Sequence, residues 1–327
     1  MEETVAEETG LKVPARIIPV PTTVSPEARA FLGRGLPIMP PEIHHADKEG
    51  WRRYIVQVEG PLLQVSQMRA QPFPATITEH RLSNVTLYEV TPDTLQPDDE
   101  DKAILSIHGG AFILGGGIAC AHIAQSISSL AGIRSFAVDY RMPPDHPFPA
   151  GLEDCVEAYR FLLERYRPAK LALEGGSAGA NLVAATILKA RDEGLPIPGA
   201  ASLHTAGVDM THSGDTFATN EVIDVVLRGP QPEMMLLYAG GHDMKDPYLS
   251  PLFGDLTKGF PPTILTSGTR DMLLSPTVMM HRALRRAGIE ADLHVFEAMP
   301  HGGLGGSSPE DRELQQEIAG FLRRKLV

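Results

Sequence analysis

Cysteine is scarce in this 327-residue chain, which contains only Cys120 and Cys155. The two do not form a Cys-x-x-Cys pair, and isolated cysteines of this kind are most often small, buried apolar side chains. A chain of this length buries enough apolar surface to fold without disulfides or a structural metal. This usage argues against a disulfide framework and is compatible with a reducing cytosol.

Positive charge and long apolar runs are scarce as well. The chain has 29 Lys and Arg against 41 Asp and Glu, a formal net charge of −12. A surface this acidic repels phosphate backbones and anionic lipid headgroups, so we expect no nucleic-acid partner. No apolar run approaches the roughly 20 residues of a membrane helix, and the acidic start MEETVAEETG is unlike a secretory signal. We therefore expect no membrane insertion and a cytoplasmic location.

From about residue 75 onward, short apolar runs alternate with amphipathic helical segments. This alternation predicts an α/β fold with a mostly parallel sheet covered by helices on both faces. Residues 1–72 are expected to form an extended arm and a few helices between prolines, and 73–327 the α/β domain. Residues 207–250 are rich in methionine and lack a strand pattern, so we expect a cap insertion there. The eight predicted strands are Thr76–Leu82, Val85–Val90, Ala103–Ile107, Ser135–Val138, Lys170–Leu173, Ala200–Leu203, Thr263–Thr266 and Asp292–Phe296.

The most specific motif is G-x-S-x-G at residues 175–179, between a predicted strand and a predicted helix. A serine at such a turn is held in strained backbone geometry with its hydroxyl projecting out of the sheet. The helix that follows directs the backbone N–H of Ala178 toward developing negative charge. The pattern therefore predicts Ser177 as a nucleophile.

A second glycine-rich turn, His108-Gly109-Gly110, follows the Ala103–Ile107 strand. Acyl transfer needs two or three N–H donors aimed at the point where the oxyanion forms, and glycines let the backbone turn its amides inward. We expect Gly109 and Gly110 to donate there together with Ala178. His108 is expected to hold the loop by hydrogen bonding rather than to act as a base.

Three motifs in this order resemble the hormone-sensitive-lipase family of esterases: HGGAF at 108–112, YRMPPDHPFPA at 140–150 and GGSAGAN at 175–181. The resemblance implies the α/β-hydrolase fold, with an eight-stranded, mostly parallel sheet flanked by helices and an α-helical cap. It also implies a Ser-Asp-His triad in that chain order. Asp271, after the seventh predicted strand, is then the acid, and His301, after the eighth, is the general base and acid.

The sequence departs from the family pattern at four places. Ala111 replaces the third glycine of the HGGG loop, Gly176 replaces an aspartate, and Ala180 replaces a glycine. None of these changes removes a proposed catalytic group. The glycines that follow His301 replace an apolar-aromatic pair, which is expected to widen the pocket or loosen the base.

The sequence thus predicts a serine carboxylesterase that hydrolyses small-to-medium uncharged carboxylic esters through an acyl-enzyme. We expect no cofactor and no metal, because Glu42, His44, His45 and Asp47 lack ligand spacing. The resemblance allows a homodimer. Lactones, arylformamides and other xenobiotic amides remain as alternative substrates for the same triad. A non-catalytic receptor is the remote alternative, since gibberellin receptors resemble this family but lack the histidine.

Overall fold

The structure is a computed structural model that describes residues 10, 13–35, 42–229 and 231–326. Of the arm and helices expected over residues 1–72, residues 1–9, 11, 12 and 36–41 lie outside the described residues. Eight strands form one sheet, and each lies where the sequence predicts it. They are β1 (Ala75–Arg81), β2 (Thr86–Pro92), β3 (Ala103–Ile107), β4 (Arg134–Asp139), β5 (Leu171–Gly176), β6 (Ala200–His204), β7 (Thr263–Gly268) and β8 (Ala291–Phe296).

The sheet has the order β1-β2-β4-β3-β5-β6-β7-β8. The hairpin of β1 and β2 pairs antiparallel with the rest through β4, and all pairs from β4 to β8 are parallel. Parallel strands that share a direction bring their carboxyl ends to one edge, where the connecting loops meet. The turns after β3, β5, β7 and β8 therefore converge on a single site.

Helices cover both faces of this sheet. The described residues contain α1 (Pro26–Leu32), α2 (Lys48–Ala70), α3 (Ile118–Ala131), α4 (Ala150–Leu163), α5 (Ala178–Asp192), α6 (Thr216–Thr219), α7 (Pro232–Ala239), α8 (Leu274–Arg286) and α9 (Pro309–Lys325). Side-chain alternation along the strands separates two core layers. Ile104 of β3 and Ala172 of β5 pack with α3 and α9, whereas Leu105 and Leu173 pack with α4 and α5.

The N-terminal segment contains one long helix where the prolines predict several short ones. The helix α2 has 23 residues and continues through Pro61, although proline removes a backbone hydrogen bond. Packing outweighs this loss: Trp51 is 2% exposed and contributes to an apolar cluster with Ile113 and Leu114. The same cluster includes Met234 of α7, so α2 contacts both the loop after β3 and the 207–250 segment.

Residues 207–250 contain no strand among those that the structure describes, in agreement with the sequence pattern. Two short helices, α6 and α7, interrupt a segment that is otherwise irregular. None of the described helices is at once long and apolar enough to cross a lipid bilayer.

Candidate active site

Ser177 occupies a tight turn between β5 and α5. Its φ of +57° lies in the left-handed region, which a non-glycine residue adopts only when its surroundings enforce it. The turn is close to β3: a Cβ on Gly179 would lie 2.0 Å from the Ile107 carbonyl oxygen. Gly179 is thus required because the side chain of any other residue would collide with β3. The turn directs the Ser177 hydroxyl out of the sheet.

The serine begins a continuous row of hydrogen bonds. His301 Nε2 lies 2.9 Å from Ser177 Oγ, and His301 Nδ1 lies 3.0 Å from Asp271 Oδ1. Asp271 is fully buried and His301 is 9% exposed. The structure therefore brings together the three side chains that the sequence analysis selects, in the order hydroxyl, imidazole, carboxylate.

Burial and charge oppose each other at this histidine. Burial lowers the pKa of His301, but the hydrogen bond and negative charge of Asp271, with a further contribution from Asp224, outweigh burial and raise it above the usual value. Burial raises the pKa of Asp271, yet hydrogen bonds from His301, the Ser267 hydroxyl and the Leu273 N–H bring it below its usual range. Asp271 is therefore an anion beside an imidazole that accepts protons readily.

A second buried carboxylate, Asp224, joins the loops that carry the acid and the base. Its oxygens accept from the backbone N–H of His301 at 3.2 and 3.3 Å and from that of Met272 at 3.0 Å. They also accept from Val226 and Leu227 within its own segment. Burial raises the pKa of Asp224, while the charge of His301 and these N–H donors oppose the rise.

The glycine-rich loop after His301 is held by a helix cap. The carboxylate of Asp311, in the first turn of α9, accepts from Leu304 N and Gly306 N, both at 2.7 Å. It also completes a capping box with Ser308. The glycines that replace the bulky family residues therefore form a loop that is fixed from its far end.

Gly109, Gly110 and Ala178 line the cavities that meet at Ser177. The amides of Gly109, Gly110 and Ala178 have no hydrogen-bond acceptor within the described part of the chain. Gly110 has a φ of +110°, and a Cβ there would lie 2.1 Å from the Leu114 carbonyl oxygen. The loop thus requires glycine at this position.

His108 supports this loop, as the sequence analysis expects. Its ring is 4.2 Å from the Tyr140 ring in a stacked arrangement, and its Nδ1 lies 2.7 Å from the Gly109 carbonyl oxygen. Tyr140 also donates its hydroxyl to the His108 carbonyl. Burial lowers the pKa of His108 to about 4, so the ring is neutral near pH 7.

Two cavities meet at Ser177, and their linings differ. The methionine-lined cavity, about 470 Å³, contacts His301 and lies under the 207–250 segment. The Glu174 cavity, about 410 Å³, extends from Ser177 between α2, α3 and α9. Apolar side chains that line the methionine-lined cavity are Tyr54, Leu62, Phe112, Met210, Phe217, Leu227, Met234, Met235, Met272 and Leu273.

One group of metal-ligand type occurs among the described residues, away from Ser177. The ligand atoms of His44, His45 and Glu233 lie within 4.8 Å of one another. His45 Nδ1 is 2.8 Å from a Glu233 carboxylate oxygen, which also accepts from the His45 backbone N–H. This contact connects the segment before α2 to α7.

Comparison with known proteins agrees with this geometry. The sequence profile described as alpha/beta hydrolase fold matches residues 104–304. The chain belongs to the α/β-hydrolase fold family. The hydrolase is 33% identical to an acetyl-hydrolase from Streptomyces hygroscopicus over 244 residues, which cover 73% of this chain and 81% of that relative.

Two solved structures extend the comparison to nearly the whole hydrolase. The crystal structure of esterase E25 has a TM-score of 0.90 and 36% identity, and covers 98% of this chain and 100% of its own. An esterase of the bacterial hormone-sensitive lipase family has a TM-score of 0.75 and 29% identity, with 93% and 99% covered. The hydrolase is therefore a carboxylic-ester hydrolase of the hormone-sensitive-lipase type, as its three motifs predict.

Sequence reasoning missed three polar residues around the site: Asp224, Asp311 and Glu174. Asp224 lies in a segment without helical or strand periodicity, and its contacts are 48 and 77 residues away along the chain. The sequence does contain a signal for Asp311. Ser308-Pro309 is a helix start, and an acidic residue at the third helical position is typical of a capping box. Glu174 stands inside the G-x-S-x-G strand, where an alternation pattern predicts an apolar side chain.

Proposed function

We propose that the hydrolase cleaves small-to-medium uncharged carboxylic esters through an acyl-enzyme on Ser177. His301 takes the proton of the Ser177 hydroxyl as the oxygen attacks the ester carbonyl, and then delivers it to the leaving alcohol. Water repeats the sequence on the acyl-enzyme. Asp271 fixes the tautomer of His301 and stabilises the imidazolium. The hydrogen-bonded row from Ser177 through His301 to Asp271 is the observation that supports this proposal most strongly.

The oxyanion of each tetrahedral intermediate is assigned to the N–H groups of Gly109, Gly110 and Ala178. Their lack of internal acceptors within the described chain supports this role. Loss of one such donor in other acyl-transfer enzymes costs roughly 10²–10³ in kcat.

The cap is assigned to the N-terminal helices within residues 1–72 and to the 207–250 insertion, over a catalytic domain that spans 73–327. Tyr54 of α2 and Met234 of α7 both line the methionine-lined cavity, which supports a shared roof over Ser177. The volume of this cavity, about 470 Å³, suits a small or medium ligand. Its flexible thioethers adapt to apolar groups of different shapes.

Hydrolysis of p-nitrophenyl esters from acetate to decanoate tests this proposal. We expect wild-type turnover, with kcat reduced by about 10⁴-fold or more in Ser177→Ala and in His301→Gln. Ser83→Ala and His146→Gln, at exposed positions, serve as matched controls and should retain activity. Hydrolysis of lactones or arylformamides with no ester turnover would contradict the ester assignment, and unchanged activity in Ser177→Ala would contradict the nucleophile.

A further inference from the structure

Glu174 is a carboxyl group inside the core of the sheet, three residues before Ser177. It lies on the face of β5 that packs toward α3 and α9, together with Ala172. Ala172 and Leu173 are fully buried, whereas Glu174 retains partial exposure. Because Glu174 also lines the Glu174 cavity, its exposed surface faces that cavity rather than the outside of the protein.

The carboxyl group has little support from the protein. The Ser106 hydroxyl donates to one of its oxygens, and no other side chain in the described part of the chain donates to it or forms an ion pair with it. Burial raises the pKa of Glu174 to about 7, and the Ser106 hydrogen bond opposes the rise only in part. Placing a carboxyl group here is unfavourable, and an apolar residue would satisfy the same strand position. A ligand group that donates a hydrogen bond to the second oxygen would supply the missing partner.

The remaining lining of the Glu174 cavity indicates which donor fits. Thr205 and Gln315 add neutral polar groups, and Arg69 lines the cavity from the exposed side of α2. A second carboxylate, Asp311, also lines it but already accepts from the N–H groups of Leu304, Gly306 and Ser308. Three histidines complete the titratable lining, and burial lowers the pKa of each: His108, His122 and His204. Because the histidine rings are neutral near pH 7 and the Asp311 carboxylate already has N–H donors, the Arg69 guanidinium is the charge that a cationic ligand would approach besides Glu174, and it repels such a ligand. A hydroxyl group is neutral, donates to a carboxylate and accepts from arginine or amide donors. The cavity chemistry therefore favours hydroxylated ligands over cationic ones.

We propose that the Glu174 cavity is a subsite for a hydroxyl-bearing half of the ester substrate, whose hydroxyl donates a hydrogen bond to the Glu174 carboxylate. The proposal rests on the proposed function, because Ser177 lies where the two cavities meet. The methionine-lined cavity would then hold the apolar half. The substrate class is a hydroxylated carboxylic ester, either a monoester of a polyol or an ester of a hydroxy acid.

Two matched substrate pairs test this subsite. Glycerol monobutyrate against propyl butyrate adds hydroxyls to the alcohol half, and p-nitrophenyl 3-hydroxybutyrate against p-nitrophenyl butyrate adds one to the acyl half. In wild type, kcat/KM should favour the hydroxylated member of at least one pair. In Glu174→Met the ratio of the two kcat/KM values within that pair should fall about tenfold. Glu164→Met, the same change at an exposed position, should leave both ratios unchanged.

A pH series separates recognition from a merely structural role. The wild-type preference should increase from pH 6 to pH 8 as Glu174 ionises, because a carboxylate accepts a hydrogen bond more strongly than the neutral acid does. Glu174→Gln keeps an acceptor oxygen but cannot ionise, so its preference for the hydroxylated ester should not change with pH. If Glu174→Met does not fold, the pH profile of Glu174→Gln tests the subsite in its place. Substrate preferences equal to wild type in these variants, or a loss that affects both members of each pair equally, would overturn the subsite. Failure of the proposed function is distinct, since Ser177→Ala would then hydrolyse the plain esters as wild type does.

Discussion

Around His301, two carboxylates act at different atoms. Asp271 accepts from the ring at Nδ1, while Asp224 accepts from the backbone N–H of the same residue and contributes negative charge. Asp271 sets the ring orientation, and Asp224 holds the loop from which the ring projects. Because Asp224 also accepts from the N–H of Met272, next to Asp271, it fixes the distance between the two loops.

The pH dependence of activity reports this arrangement. The proposed base must be neutral to accept the Ser177 proton, so kcat/KM should fall as the pH drops through the raised pKa of His301. Asp224→Asn removes a negative charge that raises this pKa. We therefore expect the acid limb of the kcat/KM profile to move to lower pH, by up to about one unit.

The same variant should lower kcat at pH 8, by up to about tenfold, because the amide nitrogen of Asn cannot accept from the backbone donors. Asp255→Asn, at an exposed turn, is the control and should leave the profile in place. An acid limb that does not move in Asp224→Asn would show that the charge of Asp224 does not reach His301.

At the scale of elements, α9 is more than a cover for the sheet. Its capping box satisfies the helix N-terminus, and the same Asp311 carboxylate holds the loop of residues 302–306. One carboxylate thus holds both the start of α9 and the loop that follows the proposed base. The stability of one helix end contributes to the order of the active site.

Two substitutions separate these roles of the capping box. Ser308→Ala removes one cap donor–acceptor pair and should lower the free energy of unfolding by about 1 kcal/mol with kcat largely retained. Asp311→Ala also frees the N–H groups of Leu304 and Gly306, so it should lower stability by roughly 2–4 kcal/mol and reduce kcat as well. Urea unfolding and p-nitrophenyl butyrate turnover measure the two effects. Equal kcat in the two variants would disprove the connection to the loop.

The elements themselves were largely predictable because their signals are local. Alternation and buried apolar runs identify all eight strands. The proposed nucleophile follows from the motif after β5, whereas the proposed acid and base, after β7 and β8, follow from the family resemblance. The prolines before residue 72 predict several short helices, but the structure has one 23-residue helix with Pro61 inside it. Proline lowers helix propensity, and the packing of this helix around Trp51 outweighs that loss. Asp224 and Glu174 could not be predicted as site residues, because their importance arises from contacts across the fold and from a cavity, neither of which leaves a periodic pattern.

For the whole molecule, Glu174 links pH to stability. Its pKa is about 7 in the folded state against a usual value of 4.5, so the folded protein holds this proton more tightly than the unfolded chain does. The free energy of unfolding therefore falls as the pH rises from 4.5 to about 7. The whole of this loss of stability is present once the pH is well above 7. A shift from 4.5 to about 7 corresponds to an upper limit of roughly 3–4 kcal/mol.

Glu174→Gln removes this linkage. The variant should be more stable than wild type at pH 8 and similar to it at pH 5, as measured by urea unfolding at both values. Glu164→Gln is exposed and should show no such pH-dependent gain. A constant stability difference between pH 5 and pH 8 would mean that Glu174 ionises at its ordinary pKa.

The meeting of two cavities at Ser177 also bears on the order in which products leave. In the proposed acyl-enzyme route, departure of the alcohol empties one cavity while the acyl group still occupies the other. The nucleophile that attacks the acyl-enzyme then enters the empty cavity. An alcohol that fits this cavity competes there with water for the acyl group. In media rich in such an alcohol, we expect the enzyme to convert one ester into another. The shape of the empty cavity then determines the ratio of transesterification to hydrolysis.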